Sequence, residues 1–375
     1  MLYRKLKEHS SSGMYPMHMP GHKQNAEHLI PGLPYDLDLT EIHGFDDLHN
    51  PNGVLLETSK MAADLYGSKY AFPLVNGSTV GILAAIGAHT TRGDKILVTR
   101  KNHWSIENAA ALFGLTPIFI EPTIDEMSGI DNSVDLGTIG TTVENNPEIK
   151  LVVVTSPSYE GVLSDIESIA DIVHRHNIPL LVDSAHGAHL GFSQGFPDSA
   201  VHAGADMVVM SLHKTLPALT QCSVLHLCSE RGKHDETKRL LYTLQTSSPS
   251  YLLMSSIDSC IRLIAKDKDQ LFREYEQNLN RFSNNIKSLR TLFVLCNGND
   301  ISHCGFYDFD PGKLVIVTKN AAMSGNDLAQ ILRVEYKIEI ERVCDNHVIA
   351  MTSICDTPEG FSRLASALVA IDSII

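Results

Sequence analysis

The sequence predicts an α/β fold, with a large, mostly parallel sheet domain followed by a small α+β C-terminal domain. Three observations carry this expectation. Short apolar runs alternate with helical patterns through most of the chain, which is the signature of a sheet built with right-handed crossovers. Two of these runs, PLLVDSAHGAHLGF (179–192) and MVVMSLHKT (207–215), carry polar residues toward their C-terminal ends. Open α/β sheets gather their ligands at those ends. After residue 290 the rhythm changes: FVLCN, KLVIVT and HVIAMT interleave with the helical patterns SGNDLAQILRVEY and TPEGFSRLASALVAI. The expected division is an N-terminal arm at 1–53, a large domain at 54–290 and a small domain at 291–375.

The 375 residues are 43% hydrophobic, enough for a large core. The formal net charge of −14 argues against nucleic acid, whose partners carry a basic footprint. Seven cysteines lie scattered without CxxC spacing, which suits a reducing compartment rather than a disulfide framework. The N-terminus has no long apolar core of the signal-peptide kind. No apolar run approaches the roughly 20 residues of a membrane span. The expectation is a cytoplasmic protein with neither a membrane nor a nucleic-acid partner.

In chain order, residues 1–53 read as an irregular arm rich in His, Pro, Gly and Asp. It is either a solvated lead-in or an arm crossing to a second copy, where Asp46 and Asp47 would meet a cationic substrate. VLLETSKMAADLYGSKY (54–70) has helical spacing, and AFPLV is a short strand. The strand runs into Asn76-Gly77-Ser78-Thr79 and then an apolar helix. A strand, a Gly-Ser-Thr turn and a helix make an anion cradle, in which helix N-terminal amides and the Ser78 and Thr79 hydroxyls hold a phosphate. The same pattern also serves as an ordinary N-cap. KILVTR (95–100) is the next strand, and its loop places His103 where a ring could lie over a ligand; Trp104 beside it is compatible with simple packing. PIFIEP and LVVVTSPSYEGVLSD supply further strands, and Asp165 caps an amphipathic helix at 165–177. SVLHLC (223–228) follows Lys214, and residues 235–290 turn helical.

The chemistry is concentrated in the two organising strands. The first delivers Asp183 and the second delivers Lys214, preceded by Ser211 and His213. A lysine ending a buried strand loses hydration of its ammonium, and the lowered amine pKa suits Schiff-base formation. A buried aspartate can keep a pyridine nitrogen protonated, so that the ring accepts electrons. Together with the phosphate turn, this pair points to pyridoxal 5'-phosphate (PLP). Ala185 and His103 would lie on the two faces of the ring. His186 would face the phenolic oxygen, and Ser211 and His213 would serve the phosphate. A rival, metal-hydrolase reading takes Asp183, His186, His189 and His213 as ligands, but leaves Lys214 and the phosphate turn without a role.

These stretches resemble the prokaryotic ornithine/lysine/arginine decarboxylases, in their short form without an N-terminal wing domain. MPGHK (19–23), FDDLHNPNG (45–53), DSAHGAHLGF and TSSPSYLLMSSID (246–258) are similar to family segments. Ser211-Leu212-His213-Lys214, with Thr220-Gln221 beyond, resembles the lysine signature. The resemblance spans nearly the whole chain in the right order. Pro217 stands where that signature has a small residue, and residues 1–375 contain no Tyr-Pro-Pro-Gly-type segment.

The resemblance implies PLP fold type I, with a sheet of the seven-stranded type. It implies Lys214 as the Schiff-base lysine, Asp183 as the pyridine partner and His103 as the stacking ring, with His186 near the phenolic oxygen. Gly77, Ser78, Thr79, Ser211 and His213 would bind phosphate, and Ser247 or Ser248 would reach across a homodimer with shared active sites. The implied activity is decarboxylation of lysine, ornithine or arginine to the amine and CO2, a reaction of polyamine metabolism. Alternatives on the same scaffold are an aminotransferase or other lyase, or a PLP-binding protein without turnover.

Overall fold

The computed structural model describes residues 1–297 and 305–375, apart from the side chain of Ala26. The chain begins with α1 (Leu2–Ser10), α2 (Val54–Tyr66), β1 (Tyr70–Leu74), α3 (Gly77–His89), β2 (Lys95–Thr99), α4 (Trp104–Phe113), β3 (Thr116–Ile120) and α5 (Leu136–Asn145). It continues through β4 (Ile149–Thr155), β5 (Val162–Leu163), α6 (Ile166–Arg175), β6 (Leu180–Asp183), β7 (Met207–Ser211), α7 (Leu212–Thr215), β8 (Ser223–Leu227), α8 (His234–Leu244) and α9 (Tyr251–Asn285). The last part holds β9 (Phe293–Val294), β10 (Asp308–Phe309), β11 (Lys313–Val317), α10 (Gly325–Glu335), β12 (Arg342–Val343), β13 (His347–Met351) and α11 (Pro358–Asp372).

The main sheet has seven strands in the order β1-β8-β7-β6-β4-β2-β3. The pairings from β3 through β7 are parallel, and β8 runs antiparallel to both β7 and β1. Strands β4, β6, β7 and β8 are apolar on both faces because helices cover both sides, so they read as continuous runs rather than alternating ones. Helix α6 shows how the covering works. Ile166, Ile169, Ala170 and Val173 fall on one face and are buried, while Asp165 accepts from the Ser168 amide at 3.0 Å to start the helix.

A second, four-stranded antiparallel sheet, β12-β13-β11-β9, packs against α10 and α11. Helix α9 joins the two cores. Its residues Tyr251 to Ile264 belong to the core under the main sheet, and Phe272, Tyr275 and Phe282 to the core under the second. A two-stranded antiparallel ribbon, β5 with β10, also ties the two parts together.

Three local expectations need correction. The N-terminal arm is not irregular throughout: α1 places Leu2 and Leu6 one turn apart, both fully buried, against α9. The strand carrying Asp183 ends at that residue, four residues after its apolar run begins, because the chain then turns through 184–190. Lys214 does not end a strand. It sits on the single helical turn α7, which follows β7 and stops before Pro217, a residue that cannot continue a helix. Among the described residues, no helix is long and apolar enough to cross a membrane.

Candidate active site

The carboxyl ends of the parallel strands open into a cleft of about 1020 Å³. Thr99, Ile120, Thr155 and Asp183, the last residues of β2, β3, β4 and β6, all line it. His103, Ala185, His186 and Lys214 line it as well. Five residues singled out in the sequence therefore meet in one cavity: His103, Asp183, Ala185, His186 and Lys214.

Asp183 is 3% exposed, and one of its oxygens accepts from the Ala185 amide at 3.2 Å. Burial raises its pKa, against the lowering effect of the Lys214 ammonium and that amide. Lys214 shows the converse: burial lowers its amine pKa, with Asp183 and Glu341 pulling the other way. His103 caps α4 through Nδ1, which accepts from the Ser105 amide at 3.2 Å. In the neutral ring this leaves the proton on Nε2. Burial and Lys214 lower its pKa. Trp104 is not packed away: it is 61% exposed and lines the cleft.

The proposed phosphate residues form their own cluster at the N-terminus of α3. Gly77 adopts φ +73°, a conformation open to glycine, and its amide donates to the Gln221 carbonyl at 3.0 Å. Ser78 Oγ lies 2.7 Å from Ser211 Oγ and 3.3 Å from Ser223 Oγ. Thr79 follows in the first turn of α3. His213 is turned by a 2.9 Å contact between Nδ1 and the Cys222 carbonyl. Ser247 and Ser248 are exposed on the loop before α9, where the neighbouring Thr246 amide donates to the Asn76 side chain at 3.0 Å.

In the arm, Asp46 and Asp47 both accept from backbone amides. Asp46 is buried, and its carboxylate accepts from the amides of Asn52, Gly53 and Leu55 at 2.8–3.0 Å, seating the start of α2. Asp47 accepts from the His49 amide at 2.8 Å. Three of the four residues of the rival metal reading have other partners: His189 pairs with buried Asp310 at 3.0 Å, His186 faces two lysines, and His213 Nδ1 contacts the Cys222 carbonyl.

The second of those lysines is Lys313, which the sequence reading passed over. It opens β11, is 2% exposed, and brings Nζ to 2.8 Å from His186 Nδ1. The signal was present: in KLVIVT both faces of the strand are apolar, so its lysine had no solvent side to occupy. Gly161 makes room for it, since a Cβ there, at φ +103°, would come within 2.7 Å of Lys313 Cγ. Tyr159, Glu341 and Arg342 complete this wall. The Tyr159 hydroxyl donates to Glu341 at 2.5 Å, and the Arg342 guanidinium lies 4.7 Å from the centre of the Tyr159 ring.

The seven-stranded, mostly parallel sheet with its cleft at the strand ends is the fold of the PLP fold type I class. Lysine decarboxylase A from Pseudomonas aeruginosa matches with a TM-score of 0.84 at 19% identity, over 99% of this chain and 59% of that one. This chain thus spans about 60% of the length of such lysine decarboxylases. The chain belongs to the Orn/Lys/Arg decarboxylase family, whose major domain matches residues 1–359. Arginine decarboxylase from Bacillus subtilis is 33% identical over 99% of this chain and 76% of its own length. The uncharacterized protein YaaO of the same organism is 40% identical over 88% of this chain and 69% of its own.

Proposed function

We propose that this chain is a PLP-dependent decarboxylase of a basic amino acid. The observation that carries the reading is the pair formed by Lys214, an amine partly withdrawn from water at the cleft wall, and the buried Asp183 beside it. The donor set fits the cofactor. Lys214 would hold its aldehyde carbon and Asp183 its pyridine nitrogen. His103 and Ala185 would flank the ring, and His186 would lie near the phenolic oxygen. Gly77, Ser78, Thr79, Ser211 and His213 would take the phosphate, with Ser247 or Ser248 supplied by a second copy in a homodimer. When bound, PLP supplies an electron sink for the pair left behind as CO2 departs.

The chain's own groups supply the rest. Asp183, removed from water, presents its carboxylate to a cationic N–H without competition from solvent. Lys214 holds or releases a proton at Nζ according to what the site contains. The outer cleft favours a cationic substrate. Glu121, Asp131, Asp135, Glu160 and Asp165 line it against Arg100, Lys101 and Arg342. The acidic excess would draw the distal ammonium or guanidinium of lysine, ornithine or arginine.

The test is release of amine and CO2 from each of these amino acids with PLP added. One of the three should be turned over, and Lys214→Ala should lower the rate at least about 10³-fold. Formation of a keto acid without CO2 would replace the reading by transamination.

A further inference from the structure

His186 stands between two lysines, with Nε2 3.1 Å from Lys214 Nζ and Nδ1 2.8 Å from Lys313 Nζ. A neutral imidazole has one N–H and one lone pair, so it donates to one neighbour and accepts from the other. Burial, followed by the charges of Lys313 and Lys214, holds the ring well below its ordinary pKa and so neutral. With both hydrogen bonds made, the lysine facing the ring N–H must be a free amine that accepts, while the lysine facing the ring lone pair donates and can carry the one extra proton of the array.

We propose that Lys214, His186 and Lys313 share a single proton, and that Lys313 is a positioning residue that takes it through His186 when Lys214 must act as a free amine. The transfer balances within the array. Lys214 Nζ gives a proton to His186 Nε2, and His186 Nδ1 gives its own to the lone pair of Lys313 Nζ. Two N–H bonds break, two form, and the net charge is unchanged. The inference deepens the proposed function, because it rests on Lys214 being the residue that attaches the cofactor.

The surroundings suit this sharing. Lys313 is among the largest fully buried side chains, and burial, helped by the Lys214 charge, brings its pKa down to about 8 against the raising effect of Asp310, Glu341 and Glu160. It can therefore accept a proton near neutrality. Asp310, paired with His189, is close enough to stabilise the ammonium once formed. On the other side Asp183 and Glu341 favour the Lys214 ammonium. His103 and His189 add to the field at His186. Tyr159 packs on the His186 ring with centres 4.6 Å apart, which fixes the ring plane between the two amines.

The experiment is competitive acetylation of the full chain without added PLP, using acetic anhydride and reading Lys214 by peptide mass spectrometry from pH 7 to 9. An isolated amine below its pKa gains about tenfold in rate per pH unit. A shared proton instead fixes the free-amine fraction internally, so Lys214 in the wild type should gain clearly less than tenfold per unit. Lys313→Met and Lys313→Gln should steepen the pH dependence of the Lys214 rate and lower its pH 7 value by about tenfold. Lys313→Arg keeps a donor on Nδ1, which turns Nε2–H toward Lys214, and should not lower the pH 7 rate. A merely structural role would make Arg at least as harmful as Met. A tenfold slope in the wild type overturns the proposal without any variant, as does an unchanged slope in a folded Lys313→Met protein. Because no cofactor is used, these outcomes are independent of whether PLP later attaches to Lys214.

Discussion

Asp183 ends β6 and Lys214 sits on the helical turn that follows the neighbouring β7, and burial moves their pKa values in opposite directions, up for the acid and down for the amine. Each limits the other's shift, so the carboxylate retains a cation to face. Asp183→Asn removes that charge while keeping the shape, and amine release should fall at least about 10²-fold with the melting temperature little changed. Near-normal turnover would remove the electron-sink role. Both residues were legible in the sequence because each closes an apolar run. Lys313 was not: it lies 99 residues beyond Lys214, and only the packing of β11 beside the main sheet brings it to His186.

At the scale of elements, buried carboxylates fasten the helices to one another. Asp258 on α9 is fully buried and accepts from the Leu2 amide, the Thr58 hydroxyl and Arg262 Nε, each at 2.8 Å. It therefore holds α1 and α2 to α9. Asp258→Ala leaves three buried or half-buried donors without their acceptor and should cost about 3 kcal/mol. Amide exchange across Leu2–Ser10 should accelerate more than across the main sheet; equal protection in the variant would contradict this anchoring. The strands of the main sheet and helices α6, α10 and α11 were readable from periodicity and caps. Helix α1 was not, because its mean character is polar and only Leu2 and Leu6 reveal its buried face. The helical turn α7 was hidden for another reason: MVVMSLHKT is a single apolar run that covers both a strand and a turn.

For the whole molecule, the buried histidines set the response to acid. His226 is fully buried against Tyr66, and burial pushes its pKa down to about 3 from an ordinary 6.5. The unfolded chain takes up a proton that the folded chain refuses, so stability falls as pH drops below about 6.5. The loss approaches about 1.4 kcal/mol per pH unit for each such group until the folded value is reached. His186, His89 and His347 are lowered as well and add to the same slope. Denaturation midpoints in urea should therefore decline from pH 7 to pH 5, and His226→Gln should flatten the decline. A midpoint independent of pH over that range would contradict the account.

The most direct measurement on the molecule as an enzyme is the site at which PLP attaches. After incubation with PLP and reduction with borohydride, peptide mapping should find the pyridoxyl mass on the peptide containing Lys214, and the corresponding peptide of Lys214→Ala should lack it. Attachment at Lys313, Lys101 or another lysine, or no stable attachment, would contradict the assignment on which the proposed function rests.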